Sequence, residues 1–368
     1  MIQLLKNILM TDLGMRLKND RLLRPVILHL TTTNRCNLKC QMCNLWKQEP
    51  KIDLPEQALI NLNRSPLARG LQVLDITGGE PFLTDVERLI ELAGGGRYKT
   101  VLFSSNGTLP DRTLRTVNHL IRKYTFALVM DISLDGLKDE HDRIRGVTGT
   151  FDRALETLTG LMALSRRHSN LKPTIKFTIM RDNYWQLLPV FHLSRELGAE
   201  FTTKPASEFG FTDNIGDKSY IFTPDETREI ISQLEEIVRR QKRCPLQHNT
   251  FMHRIYRQAE IIFHRELIGY MRQTFIEKKS LPAGRCFSSF ISILIHNDGK
   301  VYNCPTLLKP VGDLANRSFE EVWYGEPMTR IRRFIAEGKC ACYSQCDLMP
   351  ALVLGHKRDL FTSLFRRY

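Results

Sequence analysis

The sequence predicts an α/β protein: a partial TIM-like barrel of six β/α units, followed by a small α+β domain. Three observations predict it. Short apolar runs alternate with helix-like runs over residues 25–206, a purely helical pattern follows, and a second group of cysteines with a hairpin signal begins after residue 284. Strands that alternate with helices form a parallel sheet. At 368 residues, one large domain with a smaller one is the expected arrangement.

The elements of the barrel follow one another in regular order. The strands are predicted at 26–31, 73–77, 100–104, 126–134, 174–180 and 201–204. The helices between them are predicted near 55–62, 85–92, 111–122, 151–166 and 185–197. In barrels of this kind the chemistry sits on the loops after the carboxyl ends of the strands. Motifs in those loops are therefore the candidates for a functional site.

The rest of the chain divides into four segments. Residues 1–24 form a basic amphipathic N-terminal segment, and residues 348–368 form a basic amphipathic tail. Both ends could rest on an anionic membrane or cap the ends of the barrel. Residues 207–283, with helices near 223–240 and 251–275, are a helical insertion over the barrel mouth or a linker. Residues 284–347 form the second domain.

Composition limits the class of protein. The apolar fraction of 42% supports a buried core, and the nine cysteines, most of them in two groups, suit metal sites in a reducing cytoplasm. No secretory signal and no apolar run long enough to span a membrane is found. The net charge of +13 is compatible with a solvated surface or an anionic partner. Nucleic acid is the weaker option, because no basic motif interleaved with aromatic residues is present.

Cys36, Cys40 and Cys43 follow the first predicted strand with the spacing C-x3-C-x2-C. Three thiolates can hold three irons of a [4Fe–4S] cluster and leave the fourth iron open for a small molecule. The alternatives are a zinc knuckle or three buried free cysteines.

Polar and glycine-rich motifs follow the next strands. Gly78 and Gly79 let a backbone edge approach a ligand, and Glu80 supplies an acceptor for a cationic amine. Asn106 either caps the following helix or lies near a cofactor. Arg145 offers a guanidinium fork to a carboxylate, the alternative being a surface ion pair with Asp139 or Glu140.

The second cysteine group begins with C-x12-G-x4-C, from Cys286 through Gly299 to Cys304. A hairpin is predicted there, with strands at 290–296 and 300–303 around the turn 297–299, followed by a helix near 319–324. Cys340, Cys342 and Cys346 close the group. Four of these thiolates could hold an iron–sulfur cluster or a tetrahedral zinc ion. Cys244 stands alone and is predicted to be a structural thiol.

Together these motifs resemble the radical S-adenosylmethionine (SAM) superfamily. Its signature is C-x3-C-x-Φ-C with Φ usually aromatic, and Met42 takes the Φ position here. Residues 78–81 (GGEP) resemble its SAM-binding motif, and residues 105–108 its TNG-type turn. SLDG at 133–136 and HDRIRG at 141–146 are similar to the subgroup with an auxiliary-cluster domain called SPASM or twitch. The resemblance implies a radical SAM barrel for the first part of the chain.

The resemblance also implies roles for individual residues. The SAM-binding set comprises Gly78, Gly79, Glu80, Pro81, Asn106, Ser133, Asp135, Arg145 and Met180. Ser133 and Arg145 would contact the SAM carboxylate, and Asp135 would line the substrate side. Met180 would pack against adenine, unless it is a core methionine. The five cysteines of the second group imply one auxiliary [4Fe–4S] cluster, with ligands Cys286, Cys304, Cys342 and Cys346, and Cys340 as the alternative.

The implied activity is reductive cleavage of SAM at a [4Fe–4S] cluster and hydrogen abstraction from an unidentified substrate, with the auxiliary cluster as electron acceptor. The implied partners are a small-molecule, lipid or peptide substrate and an electron donor such as flavodoxin or ferredoxin. Only about two dozen residues precede the first strand, too few for a separate peptide-binding domain. A peptide or protein side-chain maturase is therefore the alternative, and a non-catalytic iron–sulfur or zinc scaffold is the alternative from another class.

Overall fold

The computed structural model describes most of the chain. The described residues are 10–11, 13–15, 17–206, 214, 220–243, 251–279 and 286–339. The C-terminal tail, Cys244 and the last three cysteines (Cys340, Cys342 and Cys346) lie outside them, as does most of the N-terminal amphipathic pattern. In the part of that pattern that is described, Leu13 and Leu17 are exposed.

Six parallel strands form the barrel wall, as the sequence predicts. They are β1 (Ile27–Thr31), β2 (Val73–Thr77), β3 (Thr100–Ser105), β4 (Ala127–Ser133), β5 (Leu171–Ile179) and β6 (Glu200–Pro205). Each strand pairs with the next in the chain, so all six carboxyl ends lie on one edge. The loops that carry the predicted motifs therefore meet at that edge.

Helices cover the outside of these strands. They are α1 (Glu56–Arg64), α2 (Val86–Leu92), α3 (Pro110–Lys123), α4 (Lys138–Arg145), α5 (Thr150–Ser165) and α6 (Leu187–Leu197). The prediction missed α4, which spans the HDRIRG motif. Its composition is almost entirely charged, and only His141, Ile144 and Arg145 are buried. So short and polar a helix gives no periodic apolar signal.

The core lies between the strands and these helices. The strand residues that face the helices are apolar and have no exposed surface: Leu28, Leu30, Leu74, Ile76, Val101, Phe103, Leu128, Met130, Ile132, Ile175, Phe177 and Ile179. The residues between them point to the other face, because side chains alternate along a strand. That inner face is partly open along β2 and β5.

The C-terminal domain continues the same sheet. Strand β7 (Ser292–Ile295) pairs in parallel with β1, with Ile27 opposite Ser292. Antiparallel strands β8 (Lys300–Tyr302) and β9 (Pro310–Asp313) follow it. The nine strands thus have the order β6-β5-β4-β3-β2-β1-β7-β8-β9. The predicted hairpin is confirmed, and its parallel junction with β1 could not be read from the sequence.

Helices α9 (Phe319–Trp323) and α10 (Glu326–Ala336) complete the described part of this domain. Arg332 of α10 lies over the Trp323 ring, 4.5 Å from its centroid, and pairs with Asp20 at 2.9 Å. Asp20 also accepts a hydrogen bond from Thr329, and the neighbouring Leu23 is buried in the core. The segment just before β1 therefore packs against the C-terminal domain.

The helical region after β6 contains α7 (Pro224–Arg243) and α8 (Phe251–Met271). In α8, the Tyr256 hydroxyl lies 2.7 Å from the Thr100 hydroxyl, and Arg257 pairs with Glu200. Thr100 and Glu200 begin β3 and β6, so this part of α8 covers the amino ends of the strands. Of the two interpretations of residues 207–283, that position contradicts a lid over the barrel mouth for this part of α8 and leaves the linker open. No helix in the described ranges is long and apolar enough to cross a membrane.

Candidate active site

The loop that carries Cys36, Cys40 and Cys43 follows β1 and is attached on two sides. On one side the Gly79 and Glu80 amides donate to the carbonyl oxygens of Thr33 and Arg35 at 2.7 and 2.8 Å. On the other, the amides of Lys39 and Gln41 donate to the carbonyls of Arg145 and Ile144, both at 3.0 Å. These bonds place the cysteine loop between the glycine motif and the end of α4.

The three thiols share one largely buried environment. Burial raises the pKa of Cys36 to about 12 and that of Cys43 to about 11, and the charge of Cys40 adds to both shifts. Thiolates crowded in such surroundings need a cation beside them, which iron supplies. Among the described residues, no three His, Cys, Asp or Glu side chains surround one ion-sized point. A [4Fe–4S] cluster does not require the three thiols to converge on a single ion, because each cysteine binds a different iron.

Glu80 is buried, with 1% of its surface exposed. Its Oε1 accepts hydrogen bonds from the Phe82 amide at 3.1 Å and the Ser105 hydroxyl at 2.9 Å, and its Oε2 accepts one from the Asn106 amide at 2.8 Å. Burial nevertheless raises the pKa of this carboxyl above its usual range, against those bonds and the charge of Arg145. The carboxylate is thus anchored at the barrel edge, where a cationic ligand would stabilise its charged form.

Asn106 does not cap the helix that follows it. Helix α3 begins at Pro110, after Leu109. The Asn106 side chain instead accepts from the Thr108 amide at 2.9 Å and donates to Asn37 of the cysteine loop, also at 2.9 Å. The predicted role of Asn106 as a helix cap is therefore wrong. Its side chain instead contacts the cysteine loop.

Arg145 is buried at the end of α4 and pairs with Asp135 at 2.6 Å. Its Nη1 lies 3.6 Å from the Cys40 sulfur. Burial lowers the pKa of Arg145, but Asp135 and the nearby thiols raise it more, so the guanidinium is firmly charged. The surface alternative is wrong, because Arg145 is buried and its carboxylate partner is Asp135, while Glu140 pairs with Arg143. The guanidinium fork therefore stands beside the cysteine loop.

The resemblance implies that Asp135 lines the substrate side, but the side chain of Asp135 is fully buried. Its Oδ1 accepts from the Thr178 amide at 2.8 Å, which ties it to β5. Burial raises the pKa of Asp135, against the charge of Arg145. In this position Asp135 acts on the site by holding Arg145. Ser133, two residues earlier, is half-buried at the carboxyl end of β4.

We expect Asp135→Ala to lower the free energy of unfolding by about 3–5 kcal/mol, because it leaves the Arg145 guanidinium buried without its partner. The matched control is Glu140→Ala, which removes the carboxylate of a partly exposed ion pair and should cost at most about 1 kcal/mol. Urea unfolding of the two variants checks this. If both variants lose the same free energy of unfolding, the buried pair of Asp135 and Arg145 matters no more for stability than a surface ion pair.

Met180 is buried after β5 against Ile144 and Ala206, and Met42 of the cysteine loop packs against the same group. The backbone amide of Met180 donates to the Asn183 side chain at 2.7 Å. Met180 therefore belongs to a small apolar cluster beside the cysteine loop, which is compatible with both roles predicted for it. Pro81 is buried in the turn that follows Glu80.

Two of the five C-terminal cysteines are described. Cys304 is buried, and its sulfur accepts from the Asn303 side chain and from the Leu307 amide, both at 3.3 Å. The Ser288 hydroxyl donates to the Asn303 carbonyl, which joins the chain near Cys286 to Cys304. Hydrogen bonds to the sulfur ligands help to set the reduction potential of an iron–sulfur cluster. This environment suits a cluster ligand at Cys304.

The predicted site residues do not include the polar residues on the inner face of the barrel. His29 Nδ1 lies 2.8 Å from Asp75 Oδ2, and Lys176 Nζ lies 3.1 Å from Asp131 Oδ2. A signal was present in the sequence, because polar and apolar residues alternate in HLT, DIT, MDIS and IKFTI. Alternation of this kind indicates a strand with one polar face.

Comparisons with known proteins agree with this fold. Residues 30–171 match the model of the radical SAM superfamily, and residues 286–347 match that of the SPASM iron–sulfur cluster-binding domain. The chain belongs to the radical SAM superfamily and carries a C-terminal SPASM domain. The predicted cofactor classes are thereby confirmed: a [4Fe–4S] cluster with SAM, and a SPASM auxiliary iron–sulfur cluster.

Individual relatives are distant. The antilisterial bacteriocin subtilosin biosynthesis protein AlbA of Bacillus subtilis is 25% identical over 81% of this chain, which spans 60% of AlbA. The AdoMet-dependent heme synthase of Methanosarcina barkeri is 26% identical over 86% of this chain and 87% of its own length. Streptococcus suis SuiB bound to S-adenosylmethionine superposes with a TM-score of 0.62 at 18% identity, over 87% of this chain and 70% of SuiB. The SuiB likeness supports the fold.

Proposed function

We propose that this protein cleaves SAM reductively at a [4Fe–4S] cluster held by Cys36, Cys40 and Cys43 and removes a hydrogen atom from its substrate. When bound, the reduced cluster and SAM supply an electron and a 5′-deoxyadenosyl radical. One observation carries the proposal: the cysteine loop, the anchored Glu80 and the buried Arg145 meet at the carboxyl edge of the barrel.

The protein residues would bind and orient SAM. Glu80, held by three hydrogen bonds, offers a fixed carboxylate to an ammonium group. Arg145, held by Asp135, offers a fork to a carboxylate. An amino-acid group carries both charges, and two prepositioned partners would fix its orientation at little entropic cost. Gly78, Gly79, Pro81, Asn106, Ser133 and Met180 would complete the SAM site.

The C-terminal domain would hold the auxiliary [4Fe–4S] cluster through Cys286, Cys304, Cys342 and Cys346, with Cys340 as the alternative ligand. When bound there, this cluster would supply an acceptor for one electron from the substrate after hydrogen removal, and we propose that the net reaction is therefore an oxidation. An electron donor such as flavodoxin or ferredoxin would reduce the SAM-binding cluster. The net charge of +13 suits an acidic donor. A cytoplasmic location with peripheral membrane contact stays a prediction.

The second candidate function is maturation of a ribosomal peptide or a protein side chain. It is favoured by the similarity to AlbA over most of this chain and by the fold shared with SuiB, which has also been solved bound to its precursor peptide SuiA. The heme synthase relative supports a small-molecule substrate to a similar degree. A scaffold without catalysis is the alternative from another class.

The proposal is tested by 5′-deoxyadenosine formation and by SAM affinity. We expect the reduced holoenzyme to form 5′-deoxyadenosine, and Glu80→Gln to weaken SAM binding about tenfold to a hundredfold, the effect of losing a hydrogen bond to a charged group. Glu91→Gln, on the exposed surface of α2, is the control and should bind SAM like the parent. Absence of 5′-deoxyadenosine from a fully iron-loaded parent would favour the scaffold.

A further inference from the structure

Part of the inner face of the barrel is polar, whereas closed barrels are filled with branched apolar side chains. Leu102 and Val129 are apolar residues on the same face. The strand residues that alternate with the core positions point to the inner face. They include a histidine, two aspartates, two lysines and a serine: His29, Asp75, Asp131, Lys176, Lys204 and Ser104. The hydrogen bonds of these side chains run from strand to strand across this face. We call this set the polar lumen.

The charges of the polar lumen are held in fixed positions. Lys176 Nζ donates to Asp131 and to the Ser104 hydroxyl, both at 3.1 Å. Asp75 is held by His29. Burial raises the pKa of Asp75, but His29, Lys176 and Lys204 together lower it below its usual range. Ammonium groups from β5 and β6 therefore lie within electrostatic reach of a carboxylate on β2.

The polar lumen also remains accessible. The side chains of Asp75 and Lys176 keep 23% and 20% of their surface exposed, and that of Asp131 keeps 12%. At the amino ends of the strands, Tyr256 of α8 covers the polar lumen. Its hydroxyl contacts the Thr100 hydroxyl, and the Lys172 ammonium lies over its ring. The exposed charges thus lie in a recess beyond the SAM-binding edge.

We propose that, in the polar lumen, Lys176 binds a carboxylate of an amino-acid unit of the substrate, while Asp75 of β2 accepts from the N–H groups of that unit. The inference rests on the proposed function, since it assigns the substrate class of that same site. An apolar lipid chain in this recess would displace water from the fixed charges and would offer them no hydrogen bonds in return. Desolvating charges in this way costs free energy. The carboxylate can come from a free amino acid or from an acidic side chain of a peptide.

The test is a binding measurement that does not depend on turnover. The anaerobic holoenzyme with SAM is titrated, by saturation-transfer NMR, with N-acetyl-Ala-Glu-Ala-amide, N-acetyl-Ala-Leu-Ala-amide and free glutamate. We expect the parent to bind the glutamate peptide or free glutamate at least about tenfold more tightly than the leucine peptide. Preference for the blocked peptide identifies a peptide source, and preference for the free amino acid identifies a small-molecule source.

Variants connect that preference to Lys176. Lys176→Gln should abolish the preference for a carboxylate, and Lys176→Arg, which keeps the charge, should retain part of it. Lys172→Gln is the matched control, because Lys172 lies on the same strand and face but packs over Tyr256. Equal binding of the glutamate and leucine probes by the parent, or an unchanged preference in Lys176→Gln, would overturn the inference. A preserved preference without 5′-deoxyadenosine formation would contradict only the proposed function.

Discussion

Replacing Cys36, Cys40 and Cys43 together by alanine is expected to lower the iron content from about eight to about four atoms per chain and to abolish 5′-deoxyadenosine formation. The three thiols lie in one loop, so the variant removes every predicted protein ligand of one cluster. The cysteines of the SPASM domain are untouched, and their cluster should remain. Iron, sulfide and zinc are measured per chain after anaerobic purification.

The control for this experiment is Cys244→Ala, because Cys244 is predicted to be a structural thiol. It should keep all its iron. A triple variant that lost all its iron, or kept only zinc, would contradict the auxiliary cluster and the electron transfer proposed for it. A triple variant that kept about eight irons would contradict the ligand role of the C-x3-C-x2-C motif.

Replacing Gly79 by alanine is expected to have the second-largest effect. A Cβ at this position would overlap the carbonyl oxygen of Arg35 and lie 2.5 Å from its carbon. These are backbone atoms of the cysteine loop, and the neighbouring amide of Glu80 donates to that same carbonyl. Backbone cannot rotate away as a flexible side chain can, so the loop must move. We expect a loss of about 2–3 kcal/mol of stability, typical of overpacking, and poor loading of the SAM-binding cluster.

Gly269→Ala is the matched control for Gly79→Ala. It lies in α8, and a Cβ there would meet nothing within 4 Å. Alanine in a helix is favoured over glycine by up to about 1 kcal/mol, so this variant should be as stable as the parent or more stable. Urea unfolding and the iron content of both variants are compared. Normal iron loading in Gly79→Ala would show that the loop tolerates the shift.

The regular part of the fold could be predicted because its signals are local. Each barrel strand combines an apolar run with flanking turn residues, and the observed strands differ from the predictions by a few residues at their ends. Helix α4 was missed because it buries only three side chains. The place of α8 could not be predicted for another reason: its position depends on Tyr256 reaching Thr100 and on Arg257 reaching Glu200, far apart in the chain.

The sequence by itself determined the class of this protein, since the cysteine spacings and the order of the loop motifs are local and chemically specific. Only the tertiary structure decided the partners of the buried charges. It paired Arg145 with Asp135, tied Glu80 to Ser105 and Asn106, joined β7 to β1, and gathered the polar lumen from several strands. Such pairs are chosen by the cost of leaving a charge or a backbone edge buried without a partner, and that cost exists only once distant segments pack together.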